Sequence, residues 1–197
     1  MIKRIFDIIF SSFGLIVISP LFLIIGLMIK LNSPGPVFFR GKRVGRREKP
    51  FRIYKFRTMI ADAEKMGGPS TASDDVRLTG IGKFLKRYQL DEFPQLINVL
   101  KGEMSLVGPR PEVELYVDMM AEEEKNIILS VRPGMTDFAS LWNFHEGEIL
   151  KGAADPEKAY MEKIRPKKIQ LQLEYVKNRS FMLGLKIIIK TVLKIFS

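Results

Sequence analysis

An uncharged, mostly apolar run extends from Ile8 to Ile29. As one helix its roughly 22 residues measure about 33 Å, enough to cross the hydrocarbon core of a bilayer. Ser19-Pro20 falls near the middle, where proline removes a backbone hydrogen bond and crowds the preceding turn. Each half, at roughly 17 Å, is too short to cross alone. The pattern predicts a membrane helix over 1–31, broken at Ser19-Pro20, with the Ser19 hydroxyl taking up a backbone group freed at the break.

Beyond it the periods change. Asn32-Ser-Pro-Gly-Pro36 is a turn cluster, and Val37–Phe39 with Phe51–Phe56 read as strands of a short β-hairpin around a Gly- and Lys/Arg-rich loop. Residues 61–80 are polar and Gly/Ser/Thr-rich, a flexible surface loop by composition. Ile81, Phe84, Leu85 and Tyr88 recur at helical spacing, and a second helix is predicted from Asp91, with Pro94 in its first turn, to Gly102. Glu112 to Ser130 reads as helix, Pro133 to about Gly152 as irregular, and Asp155 to Lys177 as helix again. Over 180–196, Lys186, Lys190 and Lys194 line one helical face, while Leu185, Ile188, Ile189, Val192, Leu193 and Phe196 cover most of the rest. Such a helix suits a membrane interface, or equally a terminal helix packed on the core. The fold class is α+β, helix-rich, with a minor sheet: an anchor at 1–31 and one body over 32–197.

Charge sharpens the reading of the first segment. Lys3 and Arg4 precede the apolar run, and Lys30, Arg40, Lys42, Arg43, Arg46 and Arg47 follow it. The positive-inside rule would hold both flanks in the cytoplasm, which a straight span cannot satisfy. A re-entrant helix satisfies both; a kinked spanning helix is the alternative. No small-x-small cleavage site follows, so the segment is expected to be retained.

The 197 residues carry 32 Lys+Arg against 22 Asp+Glu, a net charge of +10, which favours polyanionic partners. Cysteine is absent, excluding disulfides, zinc-thiolate sites and cysteine nucleophiles. A nucleic-acid binder should show a basic recognition helix or an aromatic-lined strand surface; neither stands out, so nucleic acid is not an expected partner. The pattern neither requires nor forbids a homo-oligomer.

The densest chemistry lies in "RYQLDEFPQLINVLKGEMSLVGPRPE". Asp91 and Glu92 at a helix start are ordinarily explained as capping groups that complement its dipole. Their basic company, Arg77, Lys83, Lys86, Arg87 and Arg110, weakens that explanation. It suggests a diphosphate held by planar donors, with a divalent cation shared between acid and phosphate. Arg110, between two prolines, has a backbone restricted on both sides that pre-aims its side chain. His145, the sole histidine, has no acid/base partner at motif spacing.

Four stretches, "SPGPVFFR", "FRIYKFRTM", "VRLTGIGKFLKRYQLDEFPQLINVLKGEMSLVGPRPE" and "VRPGMTD", closely resemble the bacterial sugar transferases known as monotopic phosphoglycosyl transferases. The likeness runs in order along nearly the whole chain, to the "NRSFMLGLKIIIKTV" tail. It implies the minimal catalytic form of that family, attached to the cytoplasmic face of the inner membrane by a re-entrant helix. The implied reaction moves a sugar 1-phosphate from a UDP-sugar to polyprenyl phosphate, of undecaprenyl type, with release of UMP. By the same resemblance Asp91 is the nucleophile and a ligand of Mg2+, and Glu92 is the second acid. Lys55, Arg57, Arg77, Arg87, Arg110 and Arg132 become candidates for phosphate or carboxylate contacts. Roughly half are expected to touch substrate, the rest forming structural ion pairs.

Two stretches depart from the pattern. After "RPGMT" many relatives continue with Gly, then a Gln and a Gly-Arg pair; here "DFASLWNFHEGEIL" follows. Asp137, Trp142, Asn143 and Glu146 thus fall in a region the resemblance places near the nucleotide-sugar. Gly184 stands where an acidic residue is usual.

Overall fold

The computed structural model describes residues 2–195; Met1, Phe196 and Ser197 lie outside them, and with them the last apolar position of the predicted terminal helix. Helix α1 runs from Ile2 to Asn32 as one element with Pro20 inside it. Pro20, the expected break, lies within that helix. Pro20 has no N–H to offer the Ile16 carbonyl, and the Ser19 hydroxyl donates to that carbonyl instead, at 2.8 Å.

α1 lies on the rest of the chain near both of its ends. Lys3 Nζ donates to Ser105 Oγ and to the Val107 carbonyl, each at 2.7 Å. The Arg4 guanidinium donates to the Val99 and Leu100 carbonyls, and the Asp7 carboxylate accepts from Leu106 N–H at 3.1 Å. Toward the other end, Ile25 and Ile29 pack with Phe56 and Leu85 in one buried cluster. The opposite face, with Phe13, Ile16, Leu23, Leu27 and Leu31, is more than half exposed. So large an apolar stripe on one helix marks a surface that water does not cover in the cell.

After the Asn32–Pro36 turn come β1 (Phe38–Phe39), β2 (Lys42–Val44), β3 (Pro50–Arg52) and β4 (Lys55–Phe56). β1 pairs antiparallel with β4, Phe38 opposite Phe56, and β2 with β3, Lys42 opposite Arg52. The predicted partners meet as β1 and β4, but the predicted strand Phe51–Phe56 is two strands, and its first part, in β3, pairs with β2 from the basic loop.

α2 (Gly80–Arg87) starts at Thr79, whose hydroxyl accepts from Gly82 N–H at 3.0 Å. Its buried side is Gly82 and Leu85, whereas Phe84 and Tyr88 are exposed, so the apolar face read from the sequence is rotated. Gly82 lies so close to Thr58 that a Cβ would strike the Thr58 carbonyl. α3 (Gln95–Lys101) ends at Gly102 with φ of 81°, a left-handed stop of the kind glycine supplies.

β5 (Ser105–Val107) follows, then α4 (Glu114–Asp118), α5 (Glu122–Ile128) and β6 (Gly134–Thr136). β5 and β6 form a parallel pair, Ser105 opposite Gly134 and Val107 opposite Thr136. Three-residue strands are too short to show alternation, which is why the sequence pattern lacks them. The helix read over 112–130 is two helices, because Ala121 is extended between them. The segment read as irregular holds β6, α6 (Phe138–Trp142) and α7 (Glu146–Ile149); α8 (Pro156–Lys163), α9 (Arg165–Asn178) and α10 (Phe181–Ile195) complete the chain.

α10 divides its faces. Gly184 and Ile187 are buried, Ile187 beside Val107, Tyr175 and Val176. Met182, Ile189, Val192 and Leu193 are exposed. Of the lysine stripe, Lys186 and Lys190 are exposed, while Lys194 donates to the Leu141 carbonyl at 2.7 Å. α10 meets α1 where Phe6 and Phe181 pack edge to face, ring centroids 5.3 Å apart.

Candidate active site

The Asp91-Glu92 turn is fixed from three directions. Gln89 takes a left-handed conformation, φ 54°, and its side-chain amide donates to the Phe144 carbonyl at 2.6 Å. Leu90 packs on the cluster of Ile25, Ile29, Phe56 and Leu85, which ties the turn to α1. The chain then makes a single 3-10 turn, Leu90–Glu92, before Pro94 opens α3. The helix predicted from Asp91 thus begins four residues later, and the two acids occupy the tight turn ahead of it.

The two carboxylates meet different fates. Glu92 accepts from Lys55 Nζ at 2.8 Å and from both Arg110 terminal nitrogens, one of them at 2.9 Å. Burial alone would raise its pKa, but Arg110 and Lys55 outweigh burial and hold it well below the usual carboxylate range. Asp91 is 6% exposed, and no hydrogen bond or ion pair reaches its carboxylate among the described residues. Burial therefore dominates and pushes it up, with Lys55 opposing and the Glu92 charge adding to the rise. One acid is locked and ionised. The other is free, buried and poised near neutrality, the condition in which perturbed acids do chemistry.

Arg110 reaches Glu92 because two turns touch. Gly108 N–H donates to the Thr136 carbonyl at 3.0 Å and Gly134 N–H to the Pro109 carbonyl at 2.9 Å. A Cβ on Gly134 would collide with the Gly108 backbone. The Gly-Pro-Arg-Pro turn can then carry Arg110 back to Glu92.

Of the six basic candidates, the structure brings Lys55 and Arg110 to the acid pair. Arg57 is buried and donates to the Ser33 and Pro34 carbonyls, clamping the turn after α1. Arg77 is buried on Asp75 and on the Gly68 and Ser70 carbonyls. Residues 61–79 are thus organised around an internal guanidinium, not free as their composition suggests. Arg87 is exposed beside the Tyr88 ring. Arg132 donates to the Gly102 carbonyl at 2.8 Å.

Two cations outside those six candidates, Lys86 and Arg43, stand closer to the chemistry; Lys86 belongs to the basic company of the acid pair in the sequence. Burial lowers the pKa of Lys86, and Asp91 is the charge that most opposes it. Lys86 has no hydrogen bond or ion pair among the described residues. The signal was Gly82: the face that admits no Cβ also carries positions three and four further on, Leu85 and Lys86. Arg43 is depressed by burial first and by Arg110 second; it donates to the Lys42 carbonyl and has no ion pair among the described residues. Strand pairing, not spacing, brings it to the site.

The divergent segment forms another wall. Glu146 acts electrostatically on Arg110 and Lys86 and accepts from the Asn143 side-chain amide at 2.8 Å. Asp137 is fully buried and caps α6, its Oδ1 accepting from Ser140 N–H at 2.7 Å. Trp142 and His145 are exposed.

A family model described as bacterial sugar transferase matches residues 1–197. The chain is 39% identical over 194 residues to a UDP-N-acetylgalactosamine-undecaprenyl-phosphate N-acetylgalactosaminephosphotransferase of Aeromonas hydrophila, covering 97% of this chain and 43% of that protein. It is 37% identical over 199 residues to the UDP-glucose:undecaprenyl-phosphate glucose-1-phosphate transferase of Escherichia coli (strain K12), covering 100% and 40%. The chain therefore spans about two fifths of the length of these two curated relatives. With the exopolysaccharide production protein PSS of Rhizobium leguminosarum bv. phaseoli it shares 39% identity over 200 residues, 97% of this chain and 93% of the relative.

Proposed function

We propose, since the chain belongs to the bacterial sugar transferase family, that it transfers a sugar 1-phosphate from a UDP-sugar to polyprenyl phosphate, releasing UMP and starting assembly of a bacterial glycoconjugate. The observation that carries this reading is the unequal pair: Glu92 locked between Lys55 and Arg110, Asp91 free beside it. An ionised Asp91 oxygen attacks the phosphorus that bears the sugar. The bridging P–O bond breaks, its electron pair leaves with UMP, and an aspartyl-phosphosugar remains. A polyprenyl phosphate oxygen then attacks the same phosphorus, and the Asp91 carboxylate is regenerated.

Lys86 and Arg43 are the uncommitted cations for the diphosphate, while Lys55 and Arg110 hold Glu92 in place. No group of three or more metal-binding side chains gathers among the described residues, so a closed protein cage is not the design. A Mg2+ ion held by Asp91 and completed by phosphate oxygens and water fits this donor set. When bound it would offset charge on the diphosphate. Relatives named for N-acetylgalactosamine and for glucose match this chain at 39% and 37% identity, so the substrate is stated as a UDP-sugar.

The test is to incubate stoichiometric enzyme with a panel of UDP-sugars and Mg2+ without polyprenyl phosphate. One sugar should release at most one UMP per active site and leave a phosphosugar adduct on Asp91 in peptide mass analysis. UMP release that requires the lipid acceptor, with no adduct, would replace the covalent route by direct displacement.

The membrane placement belongs to the same proposal. Both ends of α1 touch one body, through Lys3, Arg4 and Asp7 and through Ile25 and Ile29. This supports a helix that enters and leaves on the cytoplasmic face and does not span. Because the chain has no cysteine, Ile2→Cys and Lys42→Cys can be probed singly. Both should react with a thiol reagent on the cytoplasmic side, and protection of one from that side would reject the placement.

A further inference from the structure

The sequence resemblance offers Arg132 as a substrate contact, but the structure surrounds it with different company. The charges that act most on Asp91 are Lys55, Glu92, Lys86 and Arg110, and those that act most on Glu92 are Arg110 and Lys55. Arg132 instead acts on Lys3, together with Arg179. Asp7 is the carboxylate in that group, and its Oδ1 already accepts from Leu106 N–H. Three cations thus face one carboxylate, and none of the three has an ion pair among the described residues. Arg132 uses its Nε on the Gly102 carbonyl, and neither of its terminal nitrogens has a partner among the described residues. Arg179 gives one nitrogen to the Val176 carbonyl and is otherwise exposed.

An apolar cleft between α1 and α10 opens beside these cations. Phe6, Leu106, Phe181, Leu185 and Ile188 line it, with Lys3, Gly184 and the Asp7 carboxylate, which is held by Leu106 N–H, also at its wall. The space beside Gly184 is open, since a Cβ there would meet nothing within 4 Å. The helices on either side carry the exposed apolar stripes of the molecule, and Phe181 is itself 41% exposed. An apolar slot that adjoins two lipid-facing helices, with Lys3 at its wall, Arg179 next in sequence to its wall residue Ser180 and the terminal nitrogens of Arg132 uncommitted among the described residues, matches one ligand in both chemistry and position. We propose that this cleft binds an anionic phospholipid of the surrounding membrane. An acyl chain lies between α1 and α10, and the phosphate sits at Arg132, Arg179 and Lys3, apart from the Asp91-Glu92 site. Each cation near the headgroup plane contributes about a five-fold gain in binding. The inference deepens the membrane placement above but does not depend on the transfer reaction.

The test uses the full chain in vesicles of phosphatidylcholine with and without phosphatidylglycerol. A phosphatidylglycerol carrying a photoreactive group in its acyl chain should label the peptides that contain Phe6 and Phe181–Ile188. Unlabelled phosphatidylglycerol should displace it, and phosphatidylcholine should not. Arg132→Gln combined with Arg179→Gln should lower labelling more than about ten-fold. Gly184→Leu, which fills the cleft without changing charge and improves helix propensity, should abolish labelling there while vesicle binding persists. Arg179→Gln alone should retain wild-type UMP release, showing that the fold is intact. Equal labelling by a phosphatidylcholine probe, or labelling unchanged in Gly184→Leu, would overturn the site. Preferential displacement by polyprenyl phosphate would overturn it too, by giving the cleft to the lipid substrate.

Discussion

Asp91→Asn should lose turnover by on the order of 10³-fold or more and at the same time fold into a more stable protein. The two effects share one cause. Asp91 is buried and its carboxylate has no hydrogen bond or ion pair among the described residues. Burial first, then the charge of Glu92, lift its pKa to about 6. A carboxylate raised in the folded state above its unfolded value costs stability wherever it is ionised. That cost is present above the folded pKa and vanishes below the unfolded one. At neutral pH an amide of the same shape removes roughly 1–3 kcal/mol of it, seen as a raised midpoint in thermal unfolding. The same shift sets a pH limb. A protonated acid cannot attack phosphorus, so single-turnover UMP release should fall about ten-fold per pH unit below about 6 and level off above it. Active Asp91→Asn, or a rate flat from about pH 5 to about pH 8, would remove Asp91 from the chemistry.

Much of this could be read in the chain, and the limits have physical reasons. The apolar run, the Gly102 stop and the Asp91-Glu92 pair are local signals, each decided by neighbouring residues. Even the repair at Pro20 was legible, since a serine beside a proline can offer its hydroxyl to the freed carbonyl. The roles of the basic residues were not local. Arg57 and Lys55 are two positions apart, yet one clamps the Ser33-Pro34 turn and the other holds Glu92. Arg87 and Lys86 are neighbours, and helical phase alone sends one to the surface and the other toward Asp91. Arg43 reaches the site through strand pairing, and Arg110 through the Gly108–Gly134 contact. A motif delivers residue types; the fold decides which of them remain free to bind anything.

Glu92→Gln should be the most destabilising single change at the site, and it separates two roles for that acid. Its side chain is 14% exposed and compensates Lys55 and Arg110, at 19% and 30%. Removing the charge leaves two largely buried cations without their carboxylate, costing about 3 kcal/mol, the low end for breaking a buried pair. Arg110→Lys keeps the charge and loses only the two-point contact, so it should cost less. The rate should fall about 100-fold in Glu92→Gln, because the freed cations turn to Asp91 and displace it from its attacking position. The pH profile then discriminates. Losing the Glu92 charge and gaining those cations both lower the Asp91 pKa, so the acid limb should move to lower pH while keeping its shape. If Glu92 were itself the titrating base, its removal would abolish the limb instead of shifting it. A limb displaced downward, with a weakened but present phosphosugar adduct on Asp91, is the outcome expected of an acid whose task is to occupy two cations and leave its neighbour free.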